Sequence, residues 1–348
     1  MKLLVHIGHG KTGSSSIQGA LLSGEAQLTA QRIKYLGLML ERAVTQGRKP
    51  WQVGIGSNTF FNQTPVPKAI QDLAETLDGE LRTLQGAGYD TAIWSNEWIL
   101  ERPQRVIPAL QTLAASGVEI EIQVYLRRHD KWAISAYTQW GLRHKTYTGP
   151  IQSFDTWAGA KPVAFGKFYN LLEPWLNAFP GRLRVMNFDA AGDVTEHFLR
   201  INGITGIEAV TENVSPPPTV VAGHAVFNSR QRREMPPHEF DHVLNLIKRT
   251  DQMQSVLPTL DKLMPQPAAL EKFVQDRADD VDKINALLLE SGEPPLSFEG
   301  DPKEARHPAS WEMDQFMLKM IYALFEEVGA LRNQVNALKA AGTTAEKG

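Results

Sequence analysis

A glycine-rich turn near the N-terminus brings together residues that could bind a phosphate-like anion. After the apolar run Lys2–Ile7 the chain reads Gly8-His9-Gly10-Lys11-Thr12-Gly13-Ser14-Ser15-Ser16. Glycines let backbone amides approach a phosphate, the start of a following helix offers unpaired N–H groups, and hydroxyls donate further hydrogen bonds. Lys11 adds a full positive charge. The turn therefore predicts an anion cradle, and a plain turn capped by Ser14 or Ser15 is the competing interpretation.

The same turn is shorter than the phosphate loop of ATP-binding kinases. That loop requires a glycine, four further residues and then Gly-Lys-Thr or Gly-Lys-Ser. Gly10, Lys11 and Thr12 supply the end of the pattern, but Val5 stands where its first glycine should be, and the nearest upstream glycine is Gly8. We infer that the turn is too short to wrap a β-phosphate in the kinase manner.

A second cationic group follows the apolar run Ile120–Leu126. Arg127 leaves this predicted strand, Asp130 can open a helix, and Ser135 stands eight residues after the arginine. On the second turn of such a helix, Ser135 is expected to face back beside Arg127. Arg128 is the neighbouring candidate for the same role. A surface helix with an incidental arginine and serine is the competing interpretation.

Together the two segments resemble bacterial, carbohydrate-type sulfotransferases that use 3′-phosphoadenosine 5′-phosphosulfate (PAPS). In that family a lysine followed by small and hydroxyl residues binds the 5′-phosphosulfate, and an arginine and a serine eight residues apart bind the 3′-phosphate. The cofactor-binding residues that the resemblance implies are Gly10, Lys11, Thr12, Gly13, Ser14, Ser15, Ser16, Arg127 and Ser135. It also implies transfer of a sulfuryl group to an acceptor hydroxyl by in-line displacement, with adenosine 3′,5′-bisphosphate as product.

A carboxylate follows a third apolar run and could act as the general base. Glu97 comes just after Thr91–Trp94, and a carboxylate at the end of a strand is well placed to accept a proton. In several carbohydrate-type sulfotransferases a glutamate has this role, whereas many cytosolic members use a histidine. We therefore expect Lys11 and Glu97 to be catalytic, with His9 and His129 as competing bases. Because the loop lysine supplies positive charge, no metal is expected.

Two further segments resemble the same family less closely. Arg184–Asp189 ends in an aromatic–acidic pair, as in many members, and residues 201–204 stand where members carry a short Leu/Ile-Gly-Ile segment. Residues 303–308 partly match a Lys-Gly-Arg-x-His-Pro cofactor loop. Glu304 replaces its glycine, however, and the arginine comes one residue late at Arg306.

The elements that must position these groups alternate between strands and helices. Four runs have the pattern of buried strands, namely Lys2–Ile7, Thr91–Trp94, Ile120–Leu126 and Arg182–Phe188. Apolar residues at helical spacing lie between them. This alternation predicts an α/β fold with a mostly parallel sheet flanked by helices, in which ligands bind beyond the carboxyl ends of the strands. The resemblance implies a P-loop-like sulfotransferase fold.

The chain is expected to divide into a core and a helical addition. Residues 1–204 form the predicted PAPS-binding core, and residues 205–310 a helical acceptor-side or capping addition. Residues 311–340 are predicted to form one long helix, and residues 341–348 a disordered tail. Residues 41–67 are rich in glycine, proline and polar residues and long for a connector, so they are either a binding loop or locally disordered.

The predicted terminal helix carries apolar residues at alternating intervals of four and three, the seam of a coiled coil. They are Met317, Ile321, Leu324, Val328, Leu331, Val335 and Leu338. Two interpretations are open: a helix packed on its own domain, or a homo-oligomer formed through this helix.

Composition narrows the remaining classes of function. Lys plus Arg is 36 and Asp plus Glu is 39, for a net charge of −3, so no overall basic field favours nucleic acid. The absence of cysteine excludes disulfides, thiolate metal sites and a cysteine nucleophile. No stretch reaches the roughly 18 apolar residues of a membrane span, and the first apolar run is too short for a signal peptide. We expect a cytoplasmic protein.

The acceptor is the least determined partner: a glycan, a lipid headgroup or a small alcohol. Six aromatic residues could line its cleft, although aromatic residues belong more often to the core: Trp51, Phe60, Phe61, Trp140, Tyr147 and Trp157. Two alternative functions are a P-loop kinase that uses ATP and Mg²⁺, with Glu97 near the metal, and a non-catalytic oligomeric nucleotide-binding module.

Overall fold

The structure, a computed structural model, describes residues 1–162, 165–208, 217–229, 232–236, 240, 263–298 and 310–345. By their internal packing the residues divide into two units. The first comprises Met1–Trp132, Val163–Val214 and Lys272–Glu299, and the second comprises Ala133–Pro162, Ser215–Glu271 and Gly300–Gly348. The predicted positions Lys303 and Arg306 lie outside the described residues.

A parallel sheet forms the centre of the first unit. Its strands are β1 (Lys2–His6), β2 (Ile33–Tyr35), β3 (Thr91–Ser95), β4 (Glu119–Leu126) and β5 (Leu183–Asn187). They lie in the order β2-β3-β1-β4-β5, and every neighbouring pair is parallel. The predicted α/β class with a parallel sheet is therefore confirmed. The short edge strand β2 was missed, because three residues carry too little periodicity to be recognised.

Helices follow the strands along the chain. They are α1 (Ser14–Ser23), α2 (Glu25–Ala30), α3 (Gly54–Gln63), α4 (Val66–Gly86), α5 (Pro103–Ala115), α6 (His129–Ala136), α7 (Phe154–Gly159), α8 (Phe168–Ala178), α9 (Val194–Ile201), α10 (Pro218–Ser229), α11 (Pro267–Gln275), α12 (Ala278–Glu290) and α13 (Ser310–Ala345). None of the helices in the described part of the chain is both long and apolar enough to cross a membrane.

The core of the first unit fixes α1 and α9 against the sheet. Leu4 and Tyr125 from the strands pack with Ile17 and Leu21 of α1 and with Phe198 of α9. These side chains are buried, and α1 buries the apolar face that its sequence spacing predicts. Because α1 begins just after the loop that follows β1, this packing fixes the direction in which the helix N-terminus points.

The second unit has its own aromatic core. A π-helical turn at Tyr137–Arg143 continues from α6, and the ring of Tyr137 packs on the rings of Phe154 and Trp157 in α7. Asn228 of α10 donates a hydrogen bond of 2.7 Å to the carbonyl oxygen of Leu142. The described parts of residues 205–310 are largely helical.

Two expectations about irregular segments were wrong. Residues 41–67 contain α3 and a short 3₁₀ turn at Pro50–Gln52, and Phe60 and Phe61 of α3 are buried, so this segment is structured by its own aromatic side chains. The terminal helix α13 extends to Ala345 instead of ending at residue 340, although Gly342, Thr343 and Thr344 are poor helix formers. Residues 346–348 of the predicted tail lie outside the described residues.

The order of the strands reverses beside β1. After β1 the chain moves to β2 at one edge of the sheet, whereas after β4 it moves to β5 at the other. In open parallel sheets, ligands bind in the crevice beyond the carboxyl ends of the strands at such a reversal. Here that crevice lies between the ends of β1 and β4, where the sequence places the glycine-rich turn and Arg127.

Candidate anion-binding site

The loop that joins β1 to α1 adopts backbone conformations that favour glycine. Gly13 is the N-cap of α1 with a φ of 77°, and Lys11 has a φ of 75° although it is not glycine. Both values lie in the left-handed region. A residue that has a side chain adopts this conformation only at a cost in free energy. Such strained residues cluster at ligand-binding sites, because the surrounding structure must hold them there.

Two glycines of this loop have no room for a side chain. A Cβ atom at Gly8 would collide with the hydroxyl of Ser14, and one at Gly13 would lie 2.5 Å from Cγ1 of Val194 in α9. The loop backbone therefore packs closely against the first residue of α1 and against α9.

The N-terminus of α1 has a buried hydroxyl but no side-chain cap. No described side chain caps the first turn, so the competing interpretation of a serine-capped turn was wrong. Ser14 Oγ is buried and has no hydrogen-bond partner among the described residues. Since buried polar atoms are nearly always hydrogen-bonded, this atom is suited to an anion at the helix N-terminus.

The other hydroxyls of the loop differ from Ser14. Thr12 Oγ1 donates a hydrogen bond of 2.5 Å to the carbonyl oxygen of His9 and is fully buried, so it braces the loop. Ser15 is exposed, and the N–H of Ser16 already donates to the carbonyl oxygen of Gly13. Among the predicted hydroxyl residues, Ser14 has a buried hydroxyl without a partner, whereas the hydroxyl of Thr12 is hydrogen-bonded and Ser15 is exposed.

Glu97 lies beside the loop. A Cβ atom built at Gly8 would be 3.4 Å from Cβ of Glu97. Gln18 of α1 donates from Nε2 to Oε2 of Glu97 at 2.9 Å and to the carbonyl oxygen of Ser95 at 3.2 Å. Trp98, the next residue, is 38% exposed. The half-buried Glu97 is therefore held by α1, the helix that follows the loop after β1. This loop, residues 7–13, is called the anion loop.

The two competing histidines are buried. His9 is 4% exposed, and its ring stacks on Trp132 and meets the edge of Phe168. Burial, with a smaller contribution from His129, lowers the pKa of His9 to about 3, so it is neutral near pH 7. His129 is fully buried, and its Nε2 lies 2.9 Å from Oδ2 of Asp280. Both imidazoles are therefore shielded from solvent.

Arg128 is engaged by a carboxylate. Its Nε and Nη2 donate to the two oxygens of Asp130 at 3.0 and 2.6 Å, and its backbone N–H donates to Asp189 at 2.8 Å. Both side chains of the Arg128–Asp130 pair are more than nine-tenths buried. A paired, bidentate guanidinium is poorly available to a second anion.

Arg127 has a looser ion pair. Its Nε lies 3.8 Å from Oδ1 of Asp189, and that carboxylate also accepts a hydrogen bond of 2.9 Å from Lys131 Nζ. Burial lowers the pKa of the Arg127 guanidinium, and the nearby Asp189 partly offsets this effect. Arg127 and Lys131 therefore both interact with Asp189, whereas the side chain of Arg128 pairs with Asp130.

One aromatic ring links the two cationic regions. The guanidinium of Arg127 lies 5.2 Å from the centroid of the Phe188 ring. A Cβ atom at Gly13 would lie 3.3 Å from Cε2 of the same ring. Arg127 and the end of the anion loop therefore both lie against Phe188, at the crevice between β1 and β4.

Several of the contacts were not foreseen from the sequence. Gln18 holds Glu97, and Trp132 donates from Nε1 to the carbonyl oxygen of Gly10 at 3.1 Å. Asp280 accepts hydrogen bonds from the backbone N–H groups of Phe168 and Tyr169. The aromatic–acidic pair at positions 188 and 189 was the one available signal, since both of its members contact Arg127.

The remaining predicted positions lie elsewhere. Ser135 is half-buried in α6 and belongs to the second unit. Within the first unit, the candidate site therefore consists of Arg127 and the loop after β1. Across the residues that the structure describes, no group of three His, Cys, Asp or Glu side chains is placed to hold a metal ion.

The sequence matches no known protein-family model, and searches of curated proteins and of solved structures find no similar chain.

Proposed function

We propose that this protein is a PAPS-dependent sulfotransferase with a P-loop-like core. The observation that carries the proposal is the uncapped N-terminus of α1, where a buried and unpartnered Ser14 hydroxyl lies in a loop whose glycines leave no room for side chains. The loop follows β1 of a parallel sheet and carries Lys11. Arg127 lies on one side, where it could pair with a second phosphate, and Glu97 lies on the other, where it could face an acceptor hydroxyl.

The proposed donor site has two ends. Residues 10–16 would hold the 5′-phosphosulfate through backbone N–H groups, Ser14 Oγ and Lys11, because a helix N-terminus favours negative charge. Arg127 would pair with the 3′-phosphate. Its guanidinium is largely buried and its distance to Asp189 is 3.8 Å, so a second anion would offset part of its desolvation.

The proposed reaction is an in-line displacement at sulfur. PAPS supplies a sulfuryl group whose S–O bond to the phosphate breaks while the acceptor oxygen forms a new S–O bond. Glu97 accepts the acceptor's hydroxyl proton, and Gln18 keeps the carboxylate oriented through its hydrogen bond. Lys11 offsets the negative charge on the departing phosphate oxygen. Positioning and electrostatics of this kind supply most of the catalysis in such transfers.

The acceptor is proposed to be a hydroxyl-bearing small molecule or glycan. Glu97 favours this class because a carboxylate can remove the proton of an alcohol only when the two are held together, as in carbohydrate-type members of the resembled family. The two histidines that could replace it are buried, which further supports Glu97.

Thermal-shift measurements test nucleotide binding and separate this function from the kinase alternative. A ligand that binds only the folded state at about 100 times its dissociation constant adds roughly 2.7 kcal/mol of stability. We expect adenosine 3′,5′-bisphosphate without metal to raise the melting temperature by several degrees. Stabilisation by ATP with Mg²⁺ alone would instead support a kinase, and no shift with either ligand would contradict nucleotide binding at this site.

A further inference from the structure

The terminal helix α13 exposes a stripe of large apolar side chains. Each is between 45% and 59% exposed: Met317, Ile321, Leu324, Val328, Leu331 and Val335. Single exposed apolar residues are ordinary, but a contiguous stripe marks a surface that binds another molecule. This stripe coincides with the alternating spacing of four and three residues in the sequence.

A different face of the same helix is already packed within the second unit. Met313, Phe316 and Ala323 are buried, and Phe316 lies so close to Gly223 of α10 that a Cβ there would be 2.7 Å from its Cζ. At about 100° per residue, the centre of the exposed stripe lies roughly a quarter of a turn from this packed face. Packing on α10 therefore leaves the stripe uncovered.

We propose that the stripe binds the same stripe of a second copy, forming a parallel two-stranded coiled coil. In heptad terms Ile321, Val328 and Val335 occupy the a positions, and all three are β-branched. The d positions hold Met317 followed by Leu324 and Leu331, and the sequence continues with leucine at 338. β-Branched residues at a with leucine at d favour a parallel dimer over higher oligomers.

The charges beside the seam fit the same orientation. Glu327 occupies the g position that precedes Val328, and the sequence has arginine at position 332, the following e position. In a parallel pair in register, position g of one helix faces the next e position of the other. In sequence terms this one pair of opposite charges is compatible with a parallel dimer in register.

Sedimentation equilibrium of the full chain tests whether a second copy of the chain binds the stripe. We expect a dimer for the natural sequence. Leu324→Lys should raise its dissociation constant by roughly a hundredfold or more, because a charge replaces buried apolar surface in both helices. Leu324 is exposed within its own chain, so this change should leave the circular dichroism spectrum unaltered. Asn333→Lys, at an outer position of the same helix, is the matched control and should leave the dimer unchanged.

A monomer at all concentrations, or a trimer, would overturn the proposal. An equal effect of the seam and control substitutions would do the same. These results concern α13 alone and say nothing against sulfotransfer, whose own test is nucleotide binding.

Single cysteines test the direction of the two helices. The chain has no cysteine, so Ile321→Cys and Val335→Cys each introduce one thiol. Oxidation by molecular oxygen with copper–phenanthroline should convert each variant, on its own, into a disulfide-linked dimer. The reason is that equal a positions face each other in a parallel pair. An antiparallel pair could link no more than one of them, which would contradict the proposal. Asn333→Cys should stay largely unlinked.

Discussion

The two cationic regions at the crevice between β1 and β4 are built in different ways. The loop after β1 presents a left-handed lysine, close-packed glycines and a buried hydroxyl without a partner. The end of β4 instead presents arginines that are already paired with carboxylates, one tightly and one loosely. The loop therefore offers one buried hydroxyl without a partner, whereas a ligand at β4 must share or displace an existing ion pair.

This difference predicts different outcomes for substitutions at the two ends. Changes in the loop should weaken binding or transfer more than they destabilise the fold, and the Ser14 hydroxyl in particular has no partner in the absence of ligand. Substitutions at the end of β4 should have two different effects. Loss of one arginine should weaken ligand binding, and loss of the other should destabilise the fold.

Lys11→Ala should have the largest effect. Because Lys11 is proposed to stabilise charge that develops during transfer, turnover should fall by about a thousandfold. The measurement is release of adenosine 3′,5′-bisphosphate from PAPS, with a panel of sugars as acceptors and with water alone. Lys34→Ala, which removes a lysine paired with Glu25, is the control. Near-normal turnover of Lys11→Ala would refute its role.

Glu97→Gln should slow transfer to a sugar by about a hundredfold, because the amide cannot accept the proton. Affinity for adenosine 3′,5′-bisphosphate should stay within about twofold of the natural protein. Gln18→Ala should slow transfer less, since it only loosens the carboxylate. If Glu97→Gln weakens nucleotide binding as much as transfer, Glu97 is a binding residue and not the base.

Arg127→Ala and Arg128→Ala should separate binding from folding. Loss of Arg127 should weaken binding of adenosine 3′,5′-bisphosphate by roughly tenfold to a hundredfold, with little effect on adenosine 5′-monophosphate. Loss of Arg128 leaves Asp130 buried without its partner and should lower the free energy of unfolding by about 3 kcal/mol. Calorimetry and denaturant unfolding measure the two effects. The reverse pattern would assign the 3′-phosphate to Arg128.

Ser14→Ala and Ser15→Ala give the smallest and most selective contrast. Removal of the unpartnered Ser14 hydroxyl should weaken bisphosphate binding by about tenfold and should not destabilise the ligand-free protein. The exposed Ser15 should tolerate the same change within about twofold. A loss of stability in ligand-free Ser14→Ala would mean that the hydroxyl has a structural partner, contrary to the account.

The sequence predicted the parts of this architecture that depend on local pattern. Four strands, the glycine-rich turn and the helix after it could be read from apolar runs and from the positions of glycine. The three-residue strand β2 could not, since it carries no periodicity of its own. The helix α3 was missed because its glycines, asparagine and glutamine resemble loop composition, while burial of Phe60 and Phe61 stabilises the helix.

The finer features of the site depend on contacts between distant segments. Nothing in three consecutive serines indicates that Ser14 is the one whose buried hydroxyl lacks a partner, because its surroundings come from Gly8 and the packing of α1. The choice between Arg127 and Arg128 depends on Asp130 and Asp189, which approach from a helix and from the end of another strand. Position along the chain does not determine which arginine is paired more tightly.

The central claim is that the two cationic regions bind opposite ends of one adenosine bisphosphate. Isothermal titration of the natural protein with adenosine 3′,5′-bisphosphate, adenosine 5′-monophosphate and adenosine 3′-monophosphate tests it directly. The account predicts that the bisphosphate binds at least about tenfold more tightly than either monophosphate, since each phosphate has its own cation. Equal affinities for the bisphosphate and one of the monophosphates would contradict it.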